Sequence, residues 1–498
     1  MKYTFFTILW CVVAPVNGAL HASPRAANKF FSGHSGVPDF TLRLGSDTAR
    51  VCNSSTPGTS GFIETKTDES SIFFWAYESK NDPKRDPVIL WMTGGPGGSS
   101  AGYGNLMELG PCRIAPEGGF TVENEFGWNA NATLLFVEFS SQPITVGYSH
   151  GTHMPVDLVE SSKIMDQFLR QFFVAYPDLA GLDFYIAGES YGGSWVPALA
   201  NTILKTQASL DKPGQSLQAQ PQRYQFLTGP SSNIPTKPKI NLKGIMVGNG
   251  LVRLSVQNRG SFMTVCSGPD SLFNASQCEE WAPRAMWCEN NLSICETKGM
   301  TSQVCKDAQD NCTAIADVVI DQMGRNPYDY RQHCKGLDGC FPEMAHIDEY
   351  LNRHDIKEAL GVPQHVNYTG LSYPVLEQWE KNGDLWRRSD NYVNFLLEAT
   401  AIQNIRVLIY VGDKDLYSNA AGMRLLVDHG LSWHGQPLMR LRELTPWYEG
   451  ANVAGRWKSY EPLTFAEIAE AGHLAPFDKS RESLTLINSW IQGNMPTK

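Results

Sequence analysis

The chain lacks an excess of basic residues, and beyond its amino end it lacks any long apolar run. Its 51 Asp and Glu residues outnumber its 41 Lys and Arg residues and leave a formal net charge of −10. A nucleic-acid-binding protein needs a basic face, so this balance argues against a nucleic-acid partner. After residue 18 no apolar run is long enough to span a bilayer, so we expect a soluble mature protein without a membrane anchor.

Close Cys-x-x-Cys pairs, the usual mark of structural zinc sites, are missing as well. Of the eleven cysteines, Cys11 falls in the amino-terminal apolar stretch, which leaves an even number. Most of the remainder crowd between Cys266 and Cys340. This distribution favours disulfides in an exported protein and predicts no metal site.

The first 18 residues have the pattern of a secretory signal peptide. Lys2 supplies the positive end, residues 5–16 the apolar stretch, and Gly18 a small residue at the cleavage point. We therefore expect a protein that is secreted or delivered to a vacuole or lysosome. Export also fits the Asn-x-Ser/Thr triplets that can accept glycans, at Asn53, Asn131, Asn274, Asn291, Asn311 and Asn367.

Apolar strand-like runs recur along the rest of the chain. They are almost continuous in hydrophobicity, which is typical of strands buried on both faces of a parallel sheet. Residues 156–173 carry apolar positions at helical spacing between two of these runs, as a crossover helix does. The alternation predicts an α/β fold with a mostly parallel central sheet and flanking helices. The runs span residues 87–92, 133–138, 184–187, 243–247 and 406–411.

Two stretches interrupt this alternation. Residues 206–239 are rich in Gln, Ser, Pro and Lys and predict an exposed polar loop. Residues 254–343 hold the cysteine cluster and predict an inserted, disulfide-stapled cap over the carboxyl edge of the sheet. The predicted organisation is a signal peptide at 1–18, a core in two parts at 19–253 and 344–498, and the cap between them.

The segment Gly188-Glu-Ser-Tyr-Gly192 is the most informative motif. It follows an apolar run and precedes a helix-like segment, which is the setting of the nucleophile elbow Gly-x-Ser-x-Gly. The sharp turn pushes the Ser190 hydroxyl out of the backbone, and small flanking residues let the chain pass without a clash. A glycine-rich turn with an inert serine is the alternative, but the strand and helix around Ser190 favour a nucleophile.

A serine nucleophile needs a base to take its proton and a third group to orient that base. Asp413 and Asp415 follow the apolar run that ends at residue 411, where catalytic groups gather in such sheets. His473 comes later, on a predicted loop after a strand, in the chain order expected of this fold. The residues alone do not choose between the two aspartates.

Six motifs occur in a fixed order, and together they resemble the serine carboxypeptidase family from about residue 62 to residue 490. The resemblance implies an α/β-hydrolase fold. It also implies a cofactor-free serine carboxypeptidase that releases C-terminal amino acids from peptides through an acyl-enzyme. Because such an enzyme would need a protonated glutamate for its substrate and a neutral His473 for acylation, we expect activity at acidic pH. The motifs are Trp91-Met-Thr-Gly-Gly-Pro-Gly-Gly-Ser-Ser100, Glu108-Leu-Gly-Pro111, Gly188-Glu-Ser-Tyr-Gly192, Gly248-Asn-Gly250, Gly412-Asp-Lys-Asp415 and Ala471-Gly-His473.

The resemblance also implies catalytic roles. Ser190 would attack the substrate carbonyl, His473 would act as base and then as acid, and Asp415 would orient His473. The backbone N–H groups of Gly95 and Tyr191 would hold the oxyanion, in accord with an elbow in which the residue after the nucleophile donates one hydrogen bond. The alternative of a phosphate loop at 94–98 is disfavoured because no Lys-Ser/Thr ending follows.

Recognition of the substrate's free carboxylate is implied to involve Glu108 and Glu189, with Thr93 and Gly94 beside them. Two buried acids close together do not both ionise, so at least one pKa should be raised, and a protonated acid can donate to a carboxylate. A solvated Glu108 is the alternative interpretation. Thr93 stands where most of the family carries Asn; its hydroxyl can still donate, with a shorter reach.

Four disulfides are implied by the resemblance, and Cys52 and Cys112 are left as a fifth pair without family support. The retained glutamates favour a peptide carboxylate as the substrate group. An acyltransferase that uses the same triad and accepts an alcohol is the alternative function. A non-catalytic protective or binding partner is a further alternative, which the retained triad disfavours. The implied pairs are Cys266–Cys278, Cys288–Cys312, Cys295–Cys305 and Cys334–Cys340.

Overall fold

The computed structural model describes residues 40–45, 48–65, 70–138, 146–151, 155, 157–211, 238–267, 270–298, 301–334 and 340–495. The predicted signal peptide lies outside these ranges, as does most of the predicted polar loop. No helix within them is both long and apolar enough to cross a bilayer.

Strands and helices alternate along the chain. The strands are β1 (Phe40–Leu44), β2 (Gly58–Thr65), β3 (Ser71–Tyr77), β4 (Val88–Met92), β5 (Cys112–Ile114), β6 (Thr121–Glu123), β7 (Thr133–Val137), β8 (Phe184–Glu189), β9 (Leu242–Gly248), β10 (Arg325–Asn326), β11 (Asp329–His333), β12 (Arg406–Gly412), β13 (Thr445–Glu449), β14 (Asn452–Tyr460) and β15 (Leu463–Ile468). The α-helices are α1 (Thr48–Val51), α2 (Leu158–Ala175), α3 (Pro177–Ala180), α4 (Gly192–Leu210), α5 (Leu254–Cys266), α6 (Ala275–Lys298), α7 (Gln303–Cys312), α8 (Ala314–Asp317), α9 (Pro342–Leu351), α10 (His354–Leu360), α11 (Tyr373–Lys381), α12 (Asp390–Gln403), α13 (Ala420–Leu425), α14 (Gln436–Leu441), α15 (Ala475–Asp478) and α16 (Ser480–Gln492). A π-helix covers Ser100–Leu109, and shorter π- or 3₁₀-helical turns cover Trp128–Ala130, Val318–Gln322 and Leu426–Gly430.

One large sheet organises the described residues. Eleven strands pair in the order β1-β2-β3-β7-β4-β8-β9-β12-β15-β14-β13. The six neighbours from β7 to β15 run parallel, and the strands outside them are antiparallel. Each of the five predicted apolar runs forms a strand of the parallel part, with ends that differ by one or two residues. The predicted α/β-hydrolase fold is thereby confirmed.

Both faces of the parallel part of the sheet are buried, which explains why its strand sequences are apolar without alternation. In β4, Val88 and Leu90 enter a core with helices α2 and α4, whereas Ile89 and Trp91 enter a second core with helices α9 and α16. The predicted crossover helix is α2, and it starts after Asp157, whose carboxylate accepts a hydrogen bond from the helix at 2.8 Å.

The stretch between β9 and β12 adds no strand to the large sheet among its described residues. Within 254–343 it forms helices α5 to α8 and the β10–β11 hairpin. Two small cores separate from those of the sheet lie here, and one of them also includes Leu416. These cores support the predicted cap. Its limits stay a prediction, and the one at Glu343 falls in the first turn of α9.

The structure joins all ten cysteines of the described ranges in the five expected pairs, Cys52–Cys112, Cys266–Cys278, Cys288–Cys312, Cys295–Cys305 and Cys334–Cys340. Helix α4 continues to Leu210, so the first residues of the predicted loop at 206–239 are helical. The reason is local, because residues 204–210 are mostly good helix formers. Residues 212–237 lie outside the described ranges.

Candidate active site

Ser190 occupies a tight turn between the end of β8 and the start of α4. Its φ is +56°, a left-handed conformation that is uncommon for a residue with a side chain. The neighbouring glycines leave no room for larger residues: a Cβ on Gly188 would lie 2.4 Å from the Met92 carbonyl oxygen, and one on Gly193 would lie 2.6 Å from the Leu251 nitrogen. The strand–turn–helix arrangement is that of a nucleophile elbow.

The two predicted partners of Ser190 follow neighbouring parallel strands of the sheet, β12 and β15. Asp415 follows the carboxyl end of β12, and His473 follows that of β15, its parallel neighbour. The Asp415 Oδ2 atom lies 2.7 Å from the His473 Nδ1 atom, and both side chains are buried. A proton on Nδ1 donated to Asp415 leaves Nε2 as the basic atom of the imidazole.

The geometry distinguishes the two aspartates that sequence reasoning left open. Asp413 accepts a hydrogen bond from the Glu470 backbone N–H at 2.7 Å and pairs with Lys414 Nζ at 3.6 Å. Asp415, in contrast, contacts the imidazole and accepts hydrogen bonds from the backbone N–H groups of residues 417 and 418 at 2.9 and 3.1 Å. The carboxylate placed to orient His473 is that of Asp415.

Asn249 is a site residue that sequence reasoning missed. Its side-chain Nδ2 donates to Asp415 Oδ2 at 2.8 Å, and its side-chain Oδ1 accepts from the Gly412 N–H at 3.1 Å. Its φ of +41° is again left-handed. The signal was present in the Gly248-Asn-Gly250 motif, because Asn between glycines at a strand end tolerates this conformation.

The pKa of His473 is raised. Burial alone would lower it, but the carboxylate of Asp415, through its charge and its hydrogen bond, outweighs burial, and the charge of Glu189 adds to the rise. The protonated imidazole, which forms transiently when a serine is deprotonated, is therefore stabilised where it stands.

A glycine-rich loop runs directly beside the elbow. Gly95 has a φ of +112°, and a Cβ on Gly94 would lie 2.6 Å from Ser190 Cβ and 2.7 Å from the Tyr191 nitrogen. Within the described residues, neither the Gly95 N–H nor the Tyr191 N–H donates to another protein group. Two backbone donors are thus available next to the serine, as an oxyanion hole requires.

Glu108 and Glu189 form a buried acid pair. Glu189 ends β8 beside Ser190, and Glu108 lies on the π-helix that follows the glycine-rich loop. Their exposed fractions are 1% and 3%, which excludes the solvated interpretation of Glu108. Burial first, and then the neighbouring Glu189 carboxylate, raise the pKa of Glu108. Burial likewise raises the pKa of Glu189. Two carboxyl groups in direct contact need a proton between them.

The start of the π-helix is held by another buried acid. Glu138 accepts hydrogen bonds from the Ser99 hydroxyl at 2.5 Å and from the Ser100 and Ala101 N–H groups at 3.1 and 2.9 Å. Burial raises the pKa of Glu138 to about 7 in spite of these hydrogen bonds. This acid fixes the helix that carries Glu108.

Thr93 keeps a donor for a ligand. Its hydroxyl oxygen accepts the indole N–H of Trp91 at 2.9 Å, so the hydroxyl hydrogen is left to donate. The side chain is partly exposed, next to Gly94 of the glycine-rich loop. The structure thus brings Thr93, Gly94 and the acid pair around the same elbow.

The glycosylation triplets lie away from the cores. Asn53, Asn274 and Asn367 are exposed, whereas Asn131, Asn291 and Asn311 are half-buried. The amides of Asn291 and Asn311 donate to backbone oxygens one turn earlier in their helices, at 2.8 and 2.7 Å. The exposed three are the better placed acceptors.

Known proteins have sequences similar to that of this chain. The family model for serine carboxypeptidases matches residues 52–493. Carboxypeptidase Y of Schizosaccharomyces pombe is 34% identical over 469 residues, which cover 92% of this chain and 43% of that protein. This chain therefore spans less than half the length of that relative. Vacuolar serine-type carboxypeptidase ATG42 of Saccharomyces cerevisiae is 33% identical, covering 92% of this chain and 83% of that protein.

A solved structure supports the fold. The crystal structure of Kex1(Δ)p, a prohormone-processing carboxypeptidase from Saccharomyces cerevisiae, superposes with a TM-score of 0.72 at 20% identity, over 91% of this chain and 96% of that one.

Proposed function

The chain belongs to the serine carboxypeptidase family, and from that premise we propose that it releases amino acids from the carboxyl termini of peptides by acyl transfer to Ser190. The family makes it a serine-type hydrolase by class. The single observation that carries the proposal is the buried Glu108–Glu189 pair next to Ser190, whose raised pKa supports a proton donor beside the nucleophile. An endopeptidase would have no need of a donor for a terminal carboxylate.

The proposed reaction has two halves. Ser190 Oγ attacks the carbonyl carbon of the last peptide bond while His473 Nε2 takes its proton. The oxyanion accepts hydrogen bonds from the backbone N–H groups of Gly95 and Tyr191. The C–N bond then breaks as His473 returns the proton to the leaving amine. A water molecule attacks the ester in the same way and frees Ser190. Asp415 holds the imidazole through both halves.

The terminal carboxylate of the substrate is bound in this proposal by the proton of the acid pair and by the Thr93 hydroxyl, with Gly94 beside them. Ionising both glutamates would remove the donor and add a charge that repels the substrate. Substrate binding therefore weakens as pH rises through the raised pKa of the pair.

Acylation makes the opposite demand, because it needs neutral His473 and slows as pH falls through the raised pKa of that residue. The Glu189 charge is one cause of the rise, so a proton on the acid pair moves the pKa of His473 back down. The two demands are met together in the acidic range, which is where we place the activity.

We propose a secreted or vacuolar/lysosomal location, no cofactor, and peptide or protein C-termini as partners. A relative named as vacuolar supports this location. The signal peptide and the N-linked glycans stay predictions from the sequence.

The test uses the purified mature protein with a blocked dipeptide acid at mildly acidic pH, its carboxyl-amidated twin, and the Ser190→Ala variant. We expect release of the terminal amino acid from the acid, little from the amide, and none with the variant. Equal cleavage of acid and amide would contradict the carboxylate contact. No cleavage of either by a protein whose Ser190 still reacts with a fluorophosphonate would contradict the carboxypeptidase and favour the acyltransferase.

A further inference from the structure

A hairpin of the predicted cap contacts both loops that carry the acid and the base. The hairpin comprises β10, β11 and the two residues between them, Pro327 and Tyr328. Its residues lie 82–90 positions before Asp415 and 140–148 before His473, so only the tertiary fold brings them together.

The hairpin bonds the chain on both sides of Asp415. The Leu416 N–H donates to the Pro327 carbonyl at 3.0 Å, and the Tyr330 N–H donates to the Lys414 carbonyl at 3.2 Å. These two backbone bonds fix the residue before and the residue after the catalytic acid. They leave the Asp415 side chain free to contact the imidazole.

The hairpin also holds the His473 loop. The His473 N–H donates to the Tyr328 carbonyl at 2.7 Å. Gly472 packs so tightly on the hairpin that a Cβ there would lie 2.5 Å from that carbonyl oxygen and 2.7 Å from Asp329 Cβ. The position of the His473 backbone is therefore set against the cap.

Arg331 is the side chain that ties these parts together. It donates to both carboxylate oxygens of buried Asp329, at 2.9 and 2.6 Å, within the hairpin. It also donates to the Glu470 carboxylate at 2.7 Å and to the Glu470 carbonyl at 3.2 Å, on the His473 loop. A planar guanidinium can donate to two carboxylates at once in fixed directions, which the single ammonium group of a lysine cannot do.

We propose that the β10–β11 hairpin of the cap positions the His473–Asp415 pair, and that Arg331 is the positioning residue through which it acts. The inference rests on the proposed function, because it takes His473 as the base and Asp415 as the acid that orients it. In this role Arg331 contacts neither substrate nor reacting atoms. It keeps the imidazole within the small range of positions at which it can take the serine proton, and a shift of about 1 Å in such a group can cost about 100-fold in rate.

The experiment compares Arg331→Met with wild type in the full mature chain. Two quantities are measured: kcat and KM for a blocked dipeptide acid, and the second-order rate constant for labelling of Ser190 by a fluorophosphonate. We expect kcat to fall by about 10- to 100-fold with KM unchanged within about twofold. We expect the labelling rate constant to fall by the same factor, because labelling needs the activated serine but no peptide site.

Arg353→Met is the matched control, because Arg353 also forms an Arg–carboxylate pair, with Asp355 at 2.7 Å, on another part of the surface. It should leave both quantities unchanged. Glu470→Ala is the second variant. The Glu470 side chain is 56% exposed, so it can be removed without unfolding the site, and the Asp329–Arg331 pair remains. We expect an intermediate loss of kcat and of labelling.

An unchanged labelling rate constant in both Arg331→Met and Glu470→Ala would overturn the proposal, as would a rise in KM with kcat unchanged. If Arg331→Met does not fold, Glu470→Ala alone decides. The proposed function fails differently: the wild-type protein would label but cleave no peptide acid, and the labelling comparison would still report on the hairpin.

Discussion

The acid pair makes the affinity for a peptide acid depend on pH in a way that one substitution should abolish. Glu108 and Glu189 are buried and in contact, so the proton they share is lost in a single step at a raised pKa. Above that pKa, Kd for a peptide acid should rise about tenfold per pH unit. The rise in Kd should level off once the hydrogen bond from the acid pair to the substrate carboxylate no longer contributes to binding. A hydrogen bond to a charged group is worth about 1.5–3 kcal/mol, so the plateau lies roughly 10- to 150-fold above the acidic value.

The perturbation is Glu189→Gln, whose amide carries N–H donors at every pH. Binding is measured by calorimetry on the Ser190→Ala background, where no turnover occurs, with a blocked dipeptide acid and its carboxyl-amidated twin between mildly acidic and alkaline pH. We expect Kd for the acid to rise with pH in the parent and to stay nearly flat in the Gln variant. Kd for the amide should stay flat in both.

Two results would refute this reasoning. If Kd for the acid is independent of pH in the parent, the pair does not supply a titrating donor to the substrate. If the Gln variant keeps the full pH dependence, another group titrates in place of Glu189. A parallel pH dependence for the amide twin would likewise show that the effect does not arise at the substrate carboxylate.

Further predictions concern the acid, its partner and the helix start. Asp415→Asn should lower kcat by about 10⁴-fold because an amide favours the wrong imidazole tautomer. Asp413→Asn weakens a hydrogen bond to a backbone N–H worth about 1 kcal/mol, so kcat should fall by less than about tenfold. Steady-state kinetics of the two variants decide between the aspartates. Asn249→Ala removes one hydrogen-bond donor to the Asp415 carboxylate. If the lost hydrogen-bond energy appears in the activation barrier, kcat should fall by about tenfold with KM unchanged. Glu138 has a folded-state pKa raised to about 7, so the folded protein holds a proton that the unfolded chain releases, and stability is lost as pH rises. Between about pH 4.5 and 7, the free energy of unfolding of wild type, measured with urea, should fall by on the order of 3 kcal/mol relative to that of Glu138→Gln. A difference in unfolding free energy that is independent of pH would contradict this.

The hydrophobic pattern of the sequence was sufficient to predict five strands in the parallel part of the eleven-stranded sheet. Strands buried on both faces must be apolar throughout, so β4, β7, β8, β9 and β12 could be found within one or two residues of their ends. The elbow at Ser190 was equally readable, because its strand, its glycines and its helix are neighbours along the chain.

The extent of α4 was predicted less well. Polar composition suggested a loop from residue 206, yet the helix runs to Leu210. Helix ends in polar segments depend on small differences in propensity and on packing of the turns before them, which composition does not resolve.

The rest of the site was decided by contacts between distant segments. Asp413 and Asp415 are two positions apart with the same side chain, and only the packing of the β15 loop turns one toward Glu470 and the other toward His473. The burial of Glu108 depends on how the π-helix that carries it packs in the tertiary structure. The hairpin at Arg331 is an extreme case, since its bonds to the catalytic loops join residues far apart in sequence. Local pattern determines elements, because backbone geometry and side-chain burial repeat along a few residues. Which polar groups face one another is determined by long-range packing, which the tertiary structure alone reveals.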